Sequence, residues 1–348
     1  MDPQSLLLFL SLRQPRRIRV IENVLVGHKT VSNLYWGMRY GILDYLGALK
    51  SVNKQTDQNA LQQLINNGDV ITPDYREYSL TPRGYQKAVK LRNKWYVPKY
   101  LKYHLNYDLP RFKARLLLAV QVASEYSYHN RNYYPVQIDY RDAEFVKQWF
   151  YHYRDHYLTK RCYQFLVNAF QQFNQLDPTL GWQAANLLVG HNDPGQTLDQ
   201  QGRKLHQPVT EMLFRQLDIL CAFVAMLNQK NNVFSPLLFQ LRNSPISDSA
   251  IRTYQLAQQH CHFNQICNIQ RLRLSTVKEH LLGVAVFIKR ASFPYQAFIS
   301  EPMMKSLNQL YQGNPDKWDY SKYQSVTGQH LDFFYFRLFQ ILRSKQHE

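Results

Sequence analysis

Three stretches near the start of the chain place their hydrophobic residues at helical spacing. Residues 4–12 (QSLLLFLSL) predict a short buried helix, and residues 16–26 (RRIRVIENVLV) gather their apolar side chains on one face. Residues 56–67 repeat this pattern, with a threonine and an aspartate as candidate N-caps at 56–57 and a stop at Gly68. The pattern therefore predicts three helices in succession.

A β-hairpin is predicted directly after the third helix. Residues 70–71 are a short β-prone pair, residues 72–74 (TPD) have the composition of a turn, and residues 77–80 return as a second strand. Residues 81–82 then begin another helix, with the threonine as N-cap and the proline at the first position. The order of three helices and a hairpin is that of a winged helix, whose wing tip is Tyr75 and Arg76.

A second two-helix pattern lies at residues 262–290. Residues 263–269 (FNQICNI) predict a short helix, residues 271–274 (RLRL) a turn, and the next helix begins with residues 275–282 (STVKEHLL). Thr276 with Glu279 fits a capping box, and Ser275 is an alternative cap. This order is typical of a helix-turn-helix, although an ordinary capped helix pair has the same pattern.

The helical spacing also predicts which side chains of that second helix point inward. The inward set is Val277, Leu281 and Val284, and the outward set is Ser275, Lys278 and Glu279. The outward set occupies the positions at which a recognition helix meets the major groove of DNA.

The remaining pattern completes a mainly α fold. Residues 111–240 are mostly helical, with a tyrosine-rich stretch at 126–163. We predict an N-terminal winged helix with a short β-hairpin wing at 1–97, a helical, aromatic-rich middle domain at 98–245 and a C-terminal helix-turn-helix domain at 246–348.

The chain carries a large surplus of positive charge. It has 42 Lys and Arg against 25 Asp and Glu, a formal net charge of +17. Such a surplus favours a polyanionic partner, because cations that neutralise phosphates release bound counterions. A ribosomal surface, an anionic membrane and solubility alone are the competing explanations.

A basic segment at 83–115 interleaves cations with aromatic residues. Its aromatics, among them Trp95, Tyr96, Tyr100 and Tyr103, have two interpretations: stacking on single-strand bases or packing in the core. We favour core packing for the aromatics and phosphate contact for the charges.

Motifs of the common catalytic sites are absent from the sequence. There is no GxxxxGK[ST] phosphate loop, no GxGxxG after a predicted strand and no GxSxG elbow. The acids at 139–144 (DYRDAE) fit a solvated helix start, and the Cys and His residues at 260–267 lack the spacing of a metal site. We therefore expect no enzyme, no catalytic residue, no metal and no cofactor.

The sequence also offers no candidate for a membrane segment. The apolar run at 6–10 is too short to span a bilayer, and no later segment has about 18 uninterrupted apolar residues. The four cysteines are too few and too scattered for a disulfide scaffold. We expect a cytoplasmic, nucleoid-associated protein with no membrane partner.

Both ends of the chain resemble accessory modules of RecQ-type helicases. Residues 5–88 resemble the winged-helix domain that follows the motor, through the strings VLVGHKT at 24–30, YGILDYLG at 40–47, LQQLINNG at 61–68 and YSLTPRG at 78–84. Residues 262–290 resemble the helix-turn-helix at the C-terminus of some RecQ-like helicases. Together these make the chain similar to the YpbB family, bacterial proteins often encoded beside a RecQ-type helicase.

The resemblance implies a DNA-associated partner of a helicase. We therefore expect a non-catalytic DNA-binding accessory protein that cooperates with a separate RecQ-like helicase in DNA repair or recombination. Duplex and branched DNA are the expected ligands, with single-stranded DNA as a further candidate. Two alternatives stay open: a sequence-specific transcription regulator, since the STVKEH string at 275–280 also resembles the recognition helix of response regulators, and a protein-only scaffold.

The residues expected to contact DNA are cations of the two terminal modules and their neighbours. They are Arg16, Arg17, Lys29, Thr30, Tyr75, Arg76, Arg83, Lys87, Arg271, Arg273, Ser275, Thr276 and Lys278.

Overall fold

The computed structural model describes residues 2–50, 58–229, 232–328 and 330–345, and within them the fold is mainly helical. The candidate caps at 56–57 lie outside these residues. The helices, in chain order, are α1 (Pro3–Phe9), α2 (Ile18–Val26), α3 (Val31–Arg39), α4 (Gln58–Asn66), α5 (Pro82–Lys94), α6 (Leu109–Ser127), α7 (Tyr140–Tyr153), α8 (Leu158–Leu176), α9 (Leu180–Leu187), α10 (Leu198–Leu205), α11 (Val209–Gln229), α12 (Asp248–Gln258), α13 (Phe263–Gln270), α14 (Leu274–Phe287), α15 (Tyr295–Phe298), α16 (Glu301–Leu310), α17 (Ser321–Thr327) and α18 (Phe333–Ser344). Short 3-10 turns lie at Leu43–Tyr45, Leu101–Asn106, Ser235–Leu238, Arg290–Ser292 and Pro315–Lys317.

An antiparallel hairpin follows α4, formed by β1 (Val70–Asp74) and β2 (Glu77–Leu80). The predicted fold class, mainly α with one short hairpin near the N-terminus and a helix-turn-helix near the C-terminus, is confirmed. The turn predicted at 72–74 is wrong, because those residues extend β1, with a register irregularity between Ile71 and Asp74. A proline is tolerated there because β1 is an edge strand of a two-stranded ribbon. The chain reverses instead at Tyr75 and Arg76.

The described residues pack into two compact units. The first lies within Met1–Ile18, Leu25–Gly27 and Asp44–Ser244, and the second within Arg19–Val24, His28–Leu43 and Pro245–Glu348. The residues of the predicted winged helix are thus divided, since α3 belongs to the second unit and the hairpin to the first. The three-domain division at 97 and 245 stays a prediction.

The core of the first unit is formed by long helices of the predicted middle domain. Phe112 of α6, Phe173 of α8 and Phe223 of α11 are buried, and the rings of Phe173 and Phe223 meet edge to face with centroids 5.0 Å apart. Tyr96 and Tyr107 of the basic segment belong to the same core. Their burial supports core packing for these two aromatics, and Tyr100 and Tyr103 pack partly buried against the same core, whereas Tyr85 is exposed.

The second unit is built around α14, which packs against α3, α12, α13 and α18. Its hydrophobic contacts come from buried side chains of α14 and from buried aromatics such as Tyr35, Phe334 and Phe339. Since α14 is the second helix of the predicted helix-turn-helix, its inner face is anchored in this core and its first turn is left at the surface.

Candidate nucleic-acid interface

The predicted helix-turn-helix is present at residues 263–287. Helices α13 and α14 are separated by three residues, of which Arg271 adopts the left-handed conformation with φ of 54°. The backbone N–H of the next residue, Leu272, then bonds to the carbonyl of Cys267 at 3.0 Å and closes the end of α13. The chain thus passes from one helix to the next within three residues.

The capping residues predicted for α14 are wrong. The helix begins at Leu274, its N-cap is Arg273 with no side-chain cap, and Ser275 and Thr276 lie in the first turn. Since α13 ends at Gln270 and only Arg271, Leu272 and Arg273 separate it from α14, the serine and threonine fall inside the second helix. A comparable contact occurs on α13 instead, where the Gln265 Oε1 accepts from the backbone N–H of His262 at 2.7 Å.

The inward face of α14 is as predicted, because Val277, Leu281 and Val284 are buried. Ser275 and Glu279 are exposed, also as predicted, and Thr276 is half-buried. Further along the same string, the ring Nδ1 of His280 lies 2.9 Å from the hydroxyl of Thr253, and burial lowers the pKa of His280.

Lys278 departs from the expected outward orientation. Its ammonium pairs with the carboxylate of Asp332, 5.9 Å from the ring centroid of Phe263, and its side chain is only 19% exposed. Its charge therefore helps to hold the second unit together. A DNA contact by Lys278 stays a prediction.

The exposed surface of the motif is centred on the turn and the start of α14. Arg271, Arg273 and Ser275 are all exposed there, and neither guanidinium has an ion pair within the described residues. The N–H groups of the first turn of a helix carry a partial positive charge, which adds to that of the two arginines. This arrangement can bind phosphates.

Sequence reasoning missed the exposed neighbours of this surface on α13. Asn268 and Ile269 are exposed in the last turn of that helix. Helical spacing signals only Asn268, which lies two residues and about 200° around the helix from buried Ile266. Ile269 lies three residues from Ile266, on the side that the spacing predicts to be buried, so no local pattern indicated its exposure.

The loop before α3 holds Lys29 and Thr30, both exposed. The Thr30 hydroxyl caps α3 by accepting from the backbone N–H of Asn33 at 3.3 Å, and the Lys29 ammonium donates to the carbonyl of Pro245 at 3.0 Å. Both residues thus have structural contacts in the second unit, and their role toward DNA stays a prediction.

In the first unit, two of the predicted cations lie beside the hairpin. The Arg16 backbone pairs with that of Tyr78, and its guanidinium donates to the carbonyl of Phe9 at 2.6 Å. The Arg17 guanidinium pairs with Glu77 at 3.0 Å. These contacts fix the chain before α2 to strand β2.

Arg83 and Lys87 of α5 share one buried carboxylate. Lys87 Nζ lies 2.6 Å from Asp69 Oδ2, and Arg83 Nε lies 3.5 Å from Asp69 Oδ1. Part of their charge is therefore neutralised within the fold, although Arg83 keeps an exposed side chain.

The tip of the hairpin is as predicted and is exposed to solvent. Tyr75 is 76% exposed, and the guanidinium carbon of Arg76 lies 4.6 Å from the centroid of its ring. The structure thus brings Tyr75 and Arg76 together in the first unit, and Arg271, Arg273 and Ser275 together in the second.

Within the described residues, no helix combines the length and the apolar character that crossing a membrane requires. Comparison with curated proteins found no match, and comparison with solved structures found none either. Comparison with protein families found that residues 249–340 are similar to a family described as a helix-turn-helix domain. This architecture suggests DNA binding.

Proposed function

We propose that this chain is a non-catalytic DNA-binding accessory protein that uses its helix-turn-helix on duplex or branched DNA and cooperates with a separate RecQ-like helicase in DNA repair or recombination. The observation that carries the DNA part is the surface formed by Arg271, Arg273 and Ser275. It joins two exposed cations to the first turn of a helix whose inner face is buried. A cytoplasmic, nucleoid-associated location fits this role.

The contacts that the acidic residues at 139–144 make within the fold support the non-catalytic part of the proposal. Asp139 caps α7 by accepting from the backbone N–H of Arg141 at 2.9 Å. Asp142 is buried, where it pairs with Arg111 and Arg115 at 2.7 Å each. The sequence analysis assigned Asp142 to a solvated helix start, and this is wrong because the side chain is buried. Its carboxylate oxygens bond to the two guanidinium groups.

The helicase part of the proposal is supported by the sequence resemblance of both chain ends to accessory modules of RecQ-type helicases. A chain with such modules and no phosphate loop fits a partner of the motor. Its test is the unwinding of a forked duplex by a RecQ-type helicase with and without this protein. A faster rate is expected, and an unchanged rate at saturating protein would contradict the helicase role while leaving DNA binding intact.

The test of DNA binding is a salt series with a forked duplex, a plain duplex and a single strand. We expect the Arg271→Ala/Arg273→Ala variant to bind duplex about tenfold or more weakly. The slope of log affinity against log salt should also fall by about two, because two phosphate contacts are lost.

The matched control is Lys289→Ala/Arg290→Ala, which removes the same charge just beyond the other end of α14. Both residues are exposed, and they lie about 20 Å along the helix from the turn at 1.5 Å per residue. Equal weakening by the two double variants would show a diffuse charge effect and overturn the assignment to the turn.

A sequence-specific transcription regulator is a second candidate, favoured by one observation. Ser275 and Glu279 of α14 are exposed one turn apart, and such side chains can bond to base edges in the major groove. A footprint on one sequence with about a thousandfold preference over bulk DNA would favour this function.

A further inference from the structure

A group of exposed tyrosines lies in the first unit, outside the helix-turn-helix. Tyr126 and Tyr128 lie at the C-terminal end of α6, Tyr151 lies near the end of α7, and Tyr157 directly precedes α8. Tyr128, Tyr151 and Tyr157 are 65%, 53% and 63% exposed. These four tyrosines and Arg154 are called the tyrosine face below.

Contacts across α6, α7 and the following loop connect Tyr126, Tyr151 and Arg154 of this face. The ring of Tyr126 meets that of Phe150 edge to face, with centroids 5.3 Å apart, and Phe150 is the neighbour of Tyr151. The Arg154 guanidinium carbon lies 4.5 Å from the centroid of Tyr151. Arg161 then fixes the loop that carries Tyr157, since it donates to the carbonyl of Tyr153 at 3.2 Å.

The rings of the tyrosine face are exposed yet oriented. Tyr128 stacks on His191 with centroids 4.2 Å apart and an interplanar angle of 20°. Arg154 in turn fixes one side of Tyr151. Exposed aromatic rings at neighbouring helix ends offer stacking surface, and restrained rings lose little entropy when a flat ligand stacks on them.

The acidic residues near these rings have their own partners, so several nearby cations are not neutralised by a carboxylate. Asp155 pairs with Arg161 at 3.0 Å, and Glu125 lies 2.7 Å from the ring of His191. Arg131, Arg154 and Lys160, by contrast, have no carboxylate partner within the part of the chain described. The tyrosine face therefore combines flat rings with unneutralised positive charge.

We propose that the tyrosine face binds single-stranded DNA. Bases that are not paired expose their flat faces and can stack on tyrosine rings, while cations follow the phosphates. In a duplex those faces are covered by neighbouring base pairs, so this surface selects unpaired strands. The choice of DNA over RNA rests on the proposed function of the helix-turn-helix, whereas the choice of a single strand rests on the rings.

The test measures the binding of a fluorescein-labelled oligo(dT) strand to the full chain at low salt, by anisotropy. Tyr151→Ala and Tyr157→Ala are each expected to raise the Kd about five- to hundredfold, as the loss of one stacked base does. Arg154→Gln should weaken binding and reduce its salt dependence. The matched control is Tyr140→Ala. Tyr140 is 80% exposed at the first position of α7, about 16 Å along that helix from Tyr151, and its removal should leave the Kd unchanged.

The failure of this proposal is distinguishable from that of the helix-turn-helix assignment. The Arg271→Ala/Arg273→Ala variant should keep its affinity for oligo(dT) while it loses affinity for duplex, and the tyrosine variants should do the reverse. An unchanged Kd in a folded Tyr151→Ala/Tyr157→Ala variant, with the wild-type melting temperature, would overturn the tyrosine face. Tighter binding of oligo(U) than of oligo(dT) would overturn the assignment to DNA.

Discussion

Arg337 of α18 places its guanidinium carbon 4.1 Å from the ring centroid of Tyr35 in α3. Tyr35 is fully buried, and one turn further along α3 the Arg39 Nε bonds to Asp316 at 2.6 Å. A helix from the first forty residues thus completes the core that supports the helix-turn-helix. The second unit is discontinuous in sequence for this physical reason.

Removal of α3 is therefore expected to unfold the C-terminal region. The helical circular dichroism signal of a fragment of residues 245–348 should be weaker than the helices of this region in the full chain would give. The fragment should also show no cooperative melting. Within the full chain, Tyr35→Ala should lower the free energy of unfolding by about 3–5 kcal/mol through the cavity it leaves. A fragment that melts cooperatively at the temperature of the full chain would contradict this role of α3.

The left-handed Arg271 allows binding to be separated from stability. A residue with a Cβ is strained in this conformation by about 1–2 kcal/mol, and glycine is not. Arg271→Gly should therefore unfold at the same or a higher urea concentration than wild type. It should nevertheless bind duplex DNA as weakly as Arg271→Ala, which loses the charge and keeps the strain. Wild-type affinity in the glycine variant would remove Arg271 from the interface.

The sequence was sufficient where the contacts that decide a structure are local. The spacing of Val277, Leu281 and Val284 predicted the inner face of α14, and the Thr81-Pro82 pair predicted the start of α5, where the Thr81 hydroxyl accepts from the backbone N–H of Gly84 at 3.0 Å. Helical periodicity and capping depend only on residues a few positions apart.

It was insufficient where the deciding partner is distant in the chain. Lys278 was expected to point outward, but its side chain pairs with Asp332, which lies 54 positions away in the chain. No local sequence pattern predicts that pair. The assignment of α3 to the second unit has the same origin, in its contacts with α14 and α18. Exposed tyrosines at 126–163 could not be told from buried ones, because tyrosine is common in both settings.

A side chain at Gly84 is expected to destabilise the fold, although this glycine lies in the first turn of a helix. A Cβ at this position would lie 1.9 Å from the carbonyl oxygen of Asp69, the same oxygen that accepts from the backbone N–H of Thr81 at 3.0 Å. Since that oxygen belongs to the backbone and cannot move aside alone, Gly84→Ala should cost about 1–3 kcal/mol in urea unfolding.

The control for this substitution is Gly283→Ala in α14. There a Cβ would meet nothing closer than the Leu34 Cδ1 at 4.0 Å. An alanine in a helix interior is favoured over glycine by about 1 kcal/mol, so this variant should be as stable as wild type or more so. Equal destabilisation by the two alanines would show that general helix effects, and not the Asp69 contact, decide the result.

Asp142 is expected to make the first unit sensitive to acid. Its hydrogen bonds from Arg111, and then those from Arg115, lower the pKa of its carboxyl below the usual range. A carboxyl with a lowered folded-state pKa contributes stability above its unfolded pKa of about 3.9, and that contribution is lost as the pH falls through the folded value. Unfolding free energies measured by urea between pH 7 and pH 3 should therefore decline toward the acid end.

Replacement of Asp142 isolates this contribution. Asp142→Asn keeps the shape but leaves the buried Arg115 guanidinium without its counter-charge, at a cost of about 3–5 kcal/mol near neutral pH. The difference from wild type should shrink below about pH 4, where the carboxyl of the unfolded wild-type chain becomes protonated, and it should fade as the pH falls through the lowered folded-state pKa. Asp155→Asn, which breaks the exposed pair with Arg161, should change stability little at any pH. A constant difference between Asp142→Asn and wild type from pH 7 to pH 3 would show that the ionised carboxylate is not what stabilises this core.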